Sequence, residues 1–237
     1  MKKILAIIPA RSGSKGIKNK NLSKIGNTTL LEKSIHDCKK VKDIDDIVVS
    51  TDSKKIASMA EKRKIKVPFL RSNKNSTSKS SIIDALIETI KKSEKYFKKK
   101  YEIILLIETT SPLRTYLDIN KSLKKFIEFS YDFLWTISEV DLDFHPYKQL
   151  ILKKNKIKFY EKKGLKIKQR QQLTPTYRRN GVCYVINRDK FLKIKKLINN
   201  NTGFLLLKNY HISIDTVEEL KYVRKFYKMN FKQFTRI

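Results

Sequence analysis

Cysteine is nearly absent: the 237 residues hold two, Cys38 and Cys183. One such pair makes neither a disulfide framework nor the ligand spacing of a zinc site. Both are expected as buried free thiols in a reducing compartment. Glycine and proline are scarce as well, at six and five residues, which excludes collagen-like and linker-rich chains. No apolar run approaches the ~18–20 residues of a membrane-spanning helix. Lys2, Lys3 and the apolar residues 4–8 sketch a signal peptide, but the run is too short and stops at Pro9. A cytoplasmic protein with no membrane partner is the expectation.

Arginine is the last scarcity, with ten among 54 basic residues. The remainder are lysines spread along the whole chain, and they carry the formal net charge to +31. Such a charge suits a nucleic-acid binder or a handler of polyanionic substrates. No helix-turn-helix, RNA-recognition aromatic pattern or zinc knuckle accompanies it, so the lysines read as solvated faces. No nucleic-acid partner is expected. Phosphate specificity then has to come from particular residues.

What is present is a hydrophobic fraction of 40%, enough for the core of one domain over 1–237. Residues 4–8 form a continuous apolar run, the mark of a strand buried on both faces. Leu31, Ile35 and Cys38 repeat at helical spacing. Strands follow at 47–49, 65–70, 103–107 and 133–137, and helices at 54–64, 83–97 and 118–129. Strands alternating with helices predict an α/β fold with a mostly parallel, doubly wound sheet. Near Asp141 the alternation breaks. Residues 147–152 and 156–160 read as a β-hairpin around Asn155, and 164–179 as a polar stretch. The segment 141–172 is expected as an inserted β-hairpin arm, a dimerisation element or a lid. A strand at 180–187, a helix at 189–198 and a short strand at 210–214 lead to a last helix. Thr216 and Glu219 form its capping box.

Ligands of such sheets bind beyond the carboxyl ends of the strands. After the first strand comes PARSGSKGIKNKN, residues 9–21. Its spacing fits neither a Walker A loop nor a dinucleotide fingerprint. Gly13 and Gly16 nonetheless allow close backbone approach. Ser12 and Ser14 donate hydrogen bonds, and Arg11, Lys15, Lys18 and Lys20 bring positive charge. That combination suits a triphosphate. Other candidate segments are Ser50-Thr51-Asp52 and Arg71. ETTSPLR (108–114), Lys148, RQQ (170–172), RRNG (178–181) and ISIDT (212–216) complete them. His145 reads as a turn histidine.

The run from Ile8 to Leu22 resembles the N-terminal signature of the sialic-acid-type (acylneuraminate) cytidylyltransferases, and the later segments resemble that family in order. The resemblance implies an enzyme that couples CTP to a nine-carbon 2-keto sugar acid and releases pyrophosphate. It implies a catalytic set of Arg11, Lys15 and Asp215. Arg11, Ser14, Lys15, Lys20, Asn21, Arg71, Arg178 and Asn180 would bind the nucleotide. Glu108, Ser111, Arg114, Lys148 and Arg170 would face the sugar, with Lys148 and Arg170 on its carboxylate. Asp215 would hold Mg2+. Ser50-Thr51-Asp52 would be mainly structural, and the arm would make a homodimer. Two departures from the family stand out. Ser213 replaces the first Asp of the usual Asp-Ile-Asp, and Glu108 stands where Gln is usual. Glu108 leaves three readings open: a different sugar, a second metal ligand or a weakened enzyme. Legionaminic, pseudaminic and 3-deoxyoctulosonic acids are rival substrates. A nucleic-acid binder or a non-catalytic nucleotide binder are the rivals of another class.

Overall fold

The computed structural model describes residues 2–13, 16–77, 80–209 and 211–229. Six strands form one sheet in the order β10-β6-β9-β5-β1-β4. They are β1 (Ile4–Pro9), β4 (Asp46–Ser50), β5 (Ile103–Leu106), β6 (Phe133–Glu139), β9 (Tyr177–Asn187) and β10 (Thr202–Leu206). Every pairing is parallel except those of β9, which runs against both neighbours. Two small ribbons lie outside it: β2 (Lys24–Ile25) with β3 (Thr28–Thr29), and β7 (Leu150–Lys153) with β8 (Lys156–Phe159).

The unbroken apolar run of β1 follows from having helices on both faces. Ala6 and Ile8 pack with Leu31, Ile56 and Ile119, which come from α1 (Leu30–Lys39), α2 (Lys54–Lys62) and α4 (Tyr116–Glu128). Leu5 and Ile7 pack on the other side with Leu86, Ile90 and Phe191, from α3 (Ile82–Phe97) and α5 (Arg188–Ile194). Alternate residues of one strand thus feed two cores. Polar side chains start the helices. Thr29 and Glu32 form a capping box for α1, and Ser81 caps α3. The expected box before α6 (Val217–Met229) is present too, with Glu219 N donating to Thr216 Oγ1 at 3.2 Å.

Two expected strands do not form. Residues 65–70 return past the edge strand β4 without pairing. Pro68 lacks an amide proton there, and the preceding turn places Lys64 at φ 57°. Of the expected strand 210–214, Tyr210 lies outside the described residues and 211–214 are irregular. In its place β10 pairs with β6 from Thr202 to Leu206. A third cluster sets up the site. Ile17, Leu113 and Ile214 are buried with Leu220, Val223 and Tyr227 of α6. The loops after β1 and β5 are thereby packed against the segment that precedes α6.

Candidate active site

The loop after β1 is tied down from three sides. Ala10 N donates to Ser50 O at 2.9 Å. Asp52 accepts from Ser12 N at 2.8 Å and from Ser12 Oγ at 2.7 Å, in keeping with a structural role for the 50–52 segment. Asn21 is buried and bridges two loops. Its Nδ2 donates to Arg11 O at 2.8 Å, and its Oδ1 accepts from Thr109 Oγ1 at 2.6 Å. Ser14 and Lys15 lie outside the described residues. Gly16 is dictated by close approach, because a Cβ there would collide with the backbone carbonyl of Asp215.

Lys20 closes the arrangement. Its ammonium donates to Ile214 O at 2.9 Å and to Asp215 Oδ1 at 2.8 Å. Ile214 N in turn donates to Thr110 O at 2.9 Å. The side chain of Asp215 is 69% exposed, so one carboxylate oxygen remains open toward solvent. Glu219 Oε2 accepts from Asp215 N at 2.7 Å and fixes the backbone there.

Beside this junction lies a cavity of about 340 Å3, lined among others by Arg11, Lys20, Asn21, Arg71, Ala85 and Glu108. Arg11 Nη1 donates to Thr77 O at 2.9 Å. Arg71 is buried, its guanidinium braced on the oxygens of Ser50. Burial lowers its pKa, while Asp52 and Glu88 counter that shift. A cation desolvated at a cavity wall gains from an anion placed opposite. Three cations therefore line the cavity, with the carboxylate of Glu108 among them and that of Asp215 paired to Lys20 outside the lining.

Glu108 is one of those carboxylates. Burial pushes its pKa up; Arg179 and Arg114 pull it down, and Asp215 pushes it up further. Among the described residues no hydrogen bond reaches its carboxylate. Gly181, at φ +69°, makes room for it. A Cβ on Gly181 would stand 2.5 Å from Glu108 Oε2 and 2.7 Å from Ser111 Oγ. Both the backbone angle and the space demand glycine here.

Several expected contacts turn out to be internal. Arg114 is 0% exposed. Its guanidinium donates to Glu108 O at 2.9 Å, Val182 O at 3.2 Å and Ser34 Oγ at 2.8 Å, with Asp37 at 3.4 Å from Nε. Lys33 joins the same group by donating to Arg114 O at 2.9 Å. Arg114 therefore builds the loop and cannot face a sugar. Ser111 is buried and donates to Asn180 O at 2.7 Å. Asn180 is also buried and spends its amide on Thr136, Ser138 and Val182. Neither meets a ligand directly, because their polar atoms hold the bulge in β9. Arg178 walls a different cavity. Lys148 and Arg170 are exposed on the arm and line neither cavity. Lys148 pairs there with Asp143.

Sequence reading missed Thr109, Arg179 and the Lys33–Asp37 pair. Thr109 had no signal beyond its place in the 108–114 loop. The pair sits at i and i+4 on a helix, which usually marks a solvated face. His145 is a turn residue, capping a single helical turn through Tyr147 N. Cys38 and Cys183 are buried, and burial pushes both thiols up to about 12.

Comparisons with known proteins identify the family and the fold. The profile of a family described as cytidylyltransferase matches residues 5–235. The chain is 32% identical over 224 residues to the post-translational flagellin modification protein B of Campylobacter coli, covering 94% of each. It is equally 32% identical over 224 residues to the CMP-N,N'-diacetyllegionaminic acid synthase of Campylobacter jejuni, again covering 94% of each. A solved structure of a CMP:2-keto-3-deoxy-manno-octonic acid synthetase complexed with CTP superposes with a TM-score of 0.73. It covers 96% of this chain and 99% of that one at 14% identity, a likeness of fold.

Proposed function

Since the chain belongs to the cytidylyltransferase family, we propose that it transfers the cytidylyl group of CTP to a nine-carbon 2-keto sugar acid. The carrying observation is the turn closed by Gly16 and Lys20 on Asp215, beside a cavity edged by Arg11 and Arg71. The sugar's anomeric hydroxyl attacks the α-phosphorus. A P–O bond forms, the bond from that phosphorus to the bridging oxygen of the β-phosphate breaks, the hydroxyl's proton passes to water, and pyrophosphate leaves. No side-chain nucleophile is required, so the protein acts by alignment and charge neutralisation.

Arg11, Lys20 and Arg71 offset the phosphate charges, and the family resemblance assigns Ser14 and Lys15 to the nucleotide as well. Asn21 acts indirectly, by fixing the carbonyl of Arg11 to the loop that follows β5. Asp215 suits a divalent cation, and Mg2+ fits the donor set. Mg2+ is commonly held by one or two carboxylates together with phosphate oxygens and water. Asp215 offers one carboxylate, with Glu108 close enough to feel its charge. When bound, the ion supplies charge stabilisation at the transferring phosphate.

The kinship to a legionaminic acid synthase puts that sugar and its relatives first among substrates. Residues 141–172 supply a homodimer contact, since Phe144, Leu152, Ile157 and Leu165 stand 66–83% exposed there. The cytoplasm, where CTP is made, is the compartment this reading calls for. Among the described residues no helix is long and apolar enough to cross a membrane. The test is pyrophosphate release from CTP and Mg2+ with legionaminic, pseudaminic and sialic acids in parallel. Release with at least one is expected. Absence of release with all three sinks the reading.

A further inference from the structure

The lysines that elsewhere scatter over solvated faces are sorted in the arm. Residues 150–170 hold eight lysines and one arginine against a single acid, Glu161. The register of the hairpin decides which way they point. Leu150 pairs with Phe159, Ile151 with Lys158, Leu152 with Ile157 and Lys153 with Lys156. Tyr160 N donates to Gln149 O at 2.8 Å and extends the ladder by one pair. Opposed residues share a face of a ladder, and faces alternate along each strand. Leu150, Leu152, Ile157 and Phe159 therefore make one face, wholly apolar. The other carries Lys153, Lys156 and Lys158, flanked by Ile151 and Tyr160. The turn between the strands places Lys154 and Asn155 at φ 47° and 58° and adds a fourth ammonium at the tip.

This basic face has no counterion of its own. Lys153 and Lys156 stand directly opposite one another, and like charges so placed destabilise a ladder. Among the described residues no carboxylate pairs with Lys153, Lys154, Lys156 or Lys158, whereas Lys148 at the foot of the arm has Asp143. The strands are exposed along nearly their whole length. A hairpin that holds its cations on one open face is complementary to an anion supplied from outside the chain.

We propose that this face docks on an anionic lipid surface, so that the arm is a peripheral membrane contact. The opposite, apolar face stays with the second copy, and a dimer then presents two basic faces whose attachments reinforce each other. Four lysines within residues 153–158 give the charge density that draws a segment to anionic headgroups. Ile151 and Tyr160, both exposed, suit the same surface. A lipid interface takes aliphatic side chains and amphipathic rings beside its charges. A nucleic-acid duplex would meet charge alone here, because residues 150–160 contain no arginine for a bidentate phosphate or base contact. Such docking lies on the membrane and needs no spanning helix.

The test is co-flotation of the full chain with vesicles at ~0.15 M ionic strength. Vesicles of phosphatidylcholine mixed with phosphatidylglycerol are compared with phosphatidylcholine alone. Wild type should float with the mixed vesicles only. The triple variant Lys153→Gln, Lys156→Gln, Lys158→Gln should partition roughly 100-fold less, at about fivefold per lysine near the surface. A second triple variant, Lys54→Gln, Lys55→Gln, Lys62→Gln on the exposed side of α2, removes the same charge from another face. It should partition within about threefold of wild type. Circular dichroism checks that both variants are folded. A wild type that stays off the mixed vesicles overturns the proposal. Equal losses in the two triple variants overturn it as well, since the whole chain's charge would then be acting. So does tighter binding of the hairpin face to a short DNA duplex than to the vesicles at equal charge concentration, which would make the partner a nucleic acid.

Discussion

The loops over β1, β4 and β5 and the arm at 141–172 face the same solvent but handle it in opposite ways. The loops spend their polar groups on one another. Asp52 holds Ser12, Asn21 holds Arg11 and Thr109, Lys20 holds Asp215, and Arg114 holds the carbonyl of Glu108. The arm leaves its apolar groups uncovered, Leu152 at 83% exposure. One region is complete within a single chain, and the other calls for a second surface. Preorganisation comes from spent hydrogen bonds, and association from unspent apolar area.

Arg114→Leu should show the strongest effect on the self-sufficient side. It takes the second cation from Asp37 and the donor from Ser34 Oγ and the carbonyls of Glu108 and Val182, while Lys33 keeps its pairing with Asp37, and removing one member of a buried charge network costs about 3–5 kcal/mol. That corresponds to a fall in Tm of roughly 10 °C for a chain of this size, measurable by calorimetry. A fall below ~2 °C would show that the network does not hold the loop. Asp215→Ala comes next. Turnover should drop roughly 100-fold or more, about 2.7 kcal/mol of transition-state stabilisation, with Tm little changed because the side chain is exposed. Near-normal pyrophosphate release would remove Asp215 from the chemistry.

The arm is tested by Leu152→Glu combined with Ile157→Glu. Sedimentation velocity should read a dimer for wild type and a monomer for the variant. The variant should stay folded by circular dichroism, while the Tm of wild type, raised by association, should fall on dilution. A monomeric wild type would break the contrast between the two regions. The smallest effect belongs to Glu108→Gln. Burial raises the Glu108 pKa, so its charge costs the folded state stability at neutral pH, and the cost fades as acidification protonates it. The variant should be more stable than wild type at pH 7.5, with the gain shrinking as the pH falls. An unchanged Tm at pH 7.5 would mean that the carboxylate is solvated.

Much of this architecture was legible in the sequence. The run at 4–8 announced a strand covered on both faces, and Thr216 with Glu219 announced the start of α6. The hairpin around Asn155 was equally plain from its alternation. The strand at 202–206 was not, because a short apolar run does not reveal its partner; β6 supplies that from seventy residues earlier. The same limit applied to the site. Residue type and order pointed to a catalytic set of Arg11, Lys15 and Asp215; Lys15 lies outside the described residues, and Lys20, read as a nucleotide contact, is the cation that meets Asp215. Type and order could not tell an arginine that faces a ligand from one that faces backbone carbonyls. Arg71 at a cavity wall and Arg114 with no exposure at all look alike in local pattern, which carries no record of side-chain direction.

The reversed direction of β9 has one more consequence. Glu139 at the end of β6 is the register partner of Tyr177 at the start of β9, and Val140 N donates to Thr176 O at 2.9 Å. Both stems of the arm are thus neighbours in a ladder that is already closed beneath it. The arm is an excursion from a hairpin, so the sheet would zip shut over a short turn put in its place. Evolution, or an engineer, can lengthen, exchange or remove this appendage without rethreading the enzyme below.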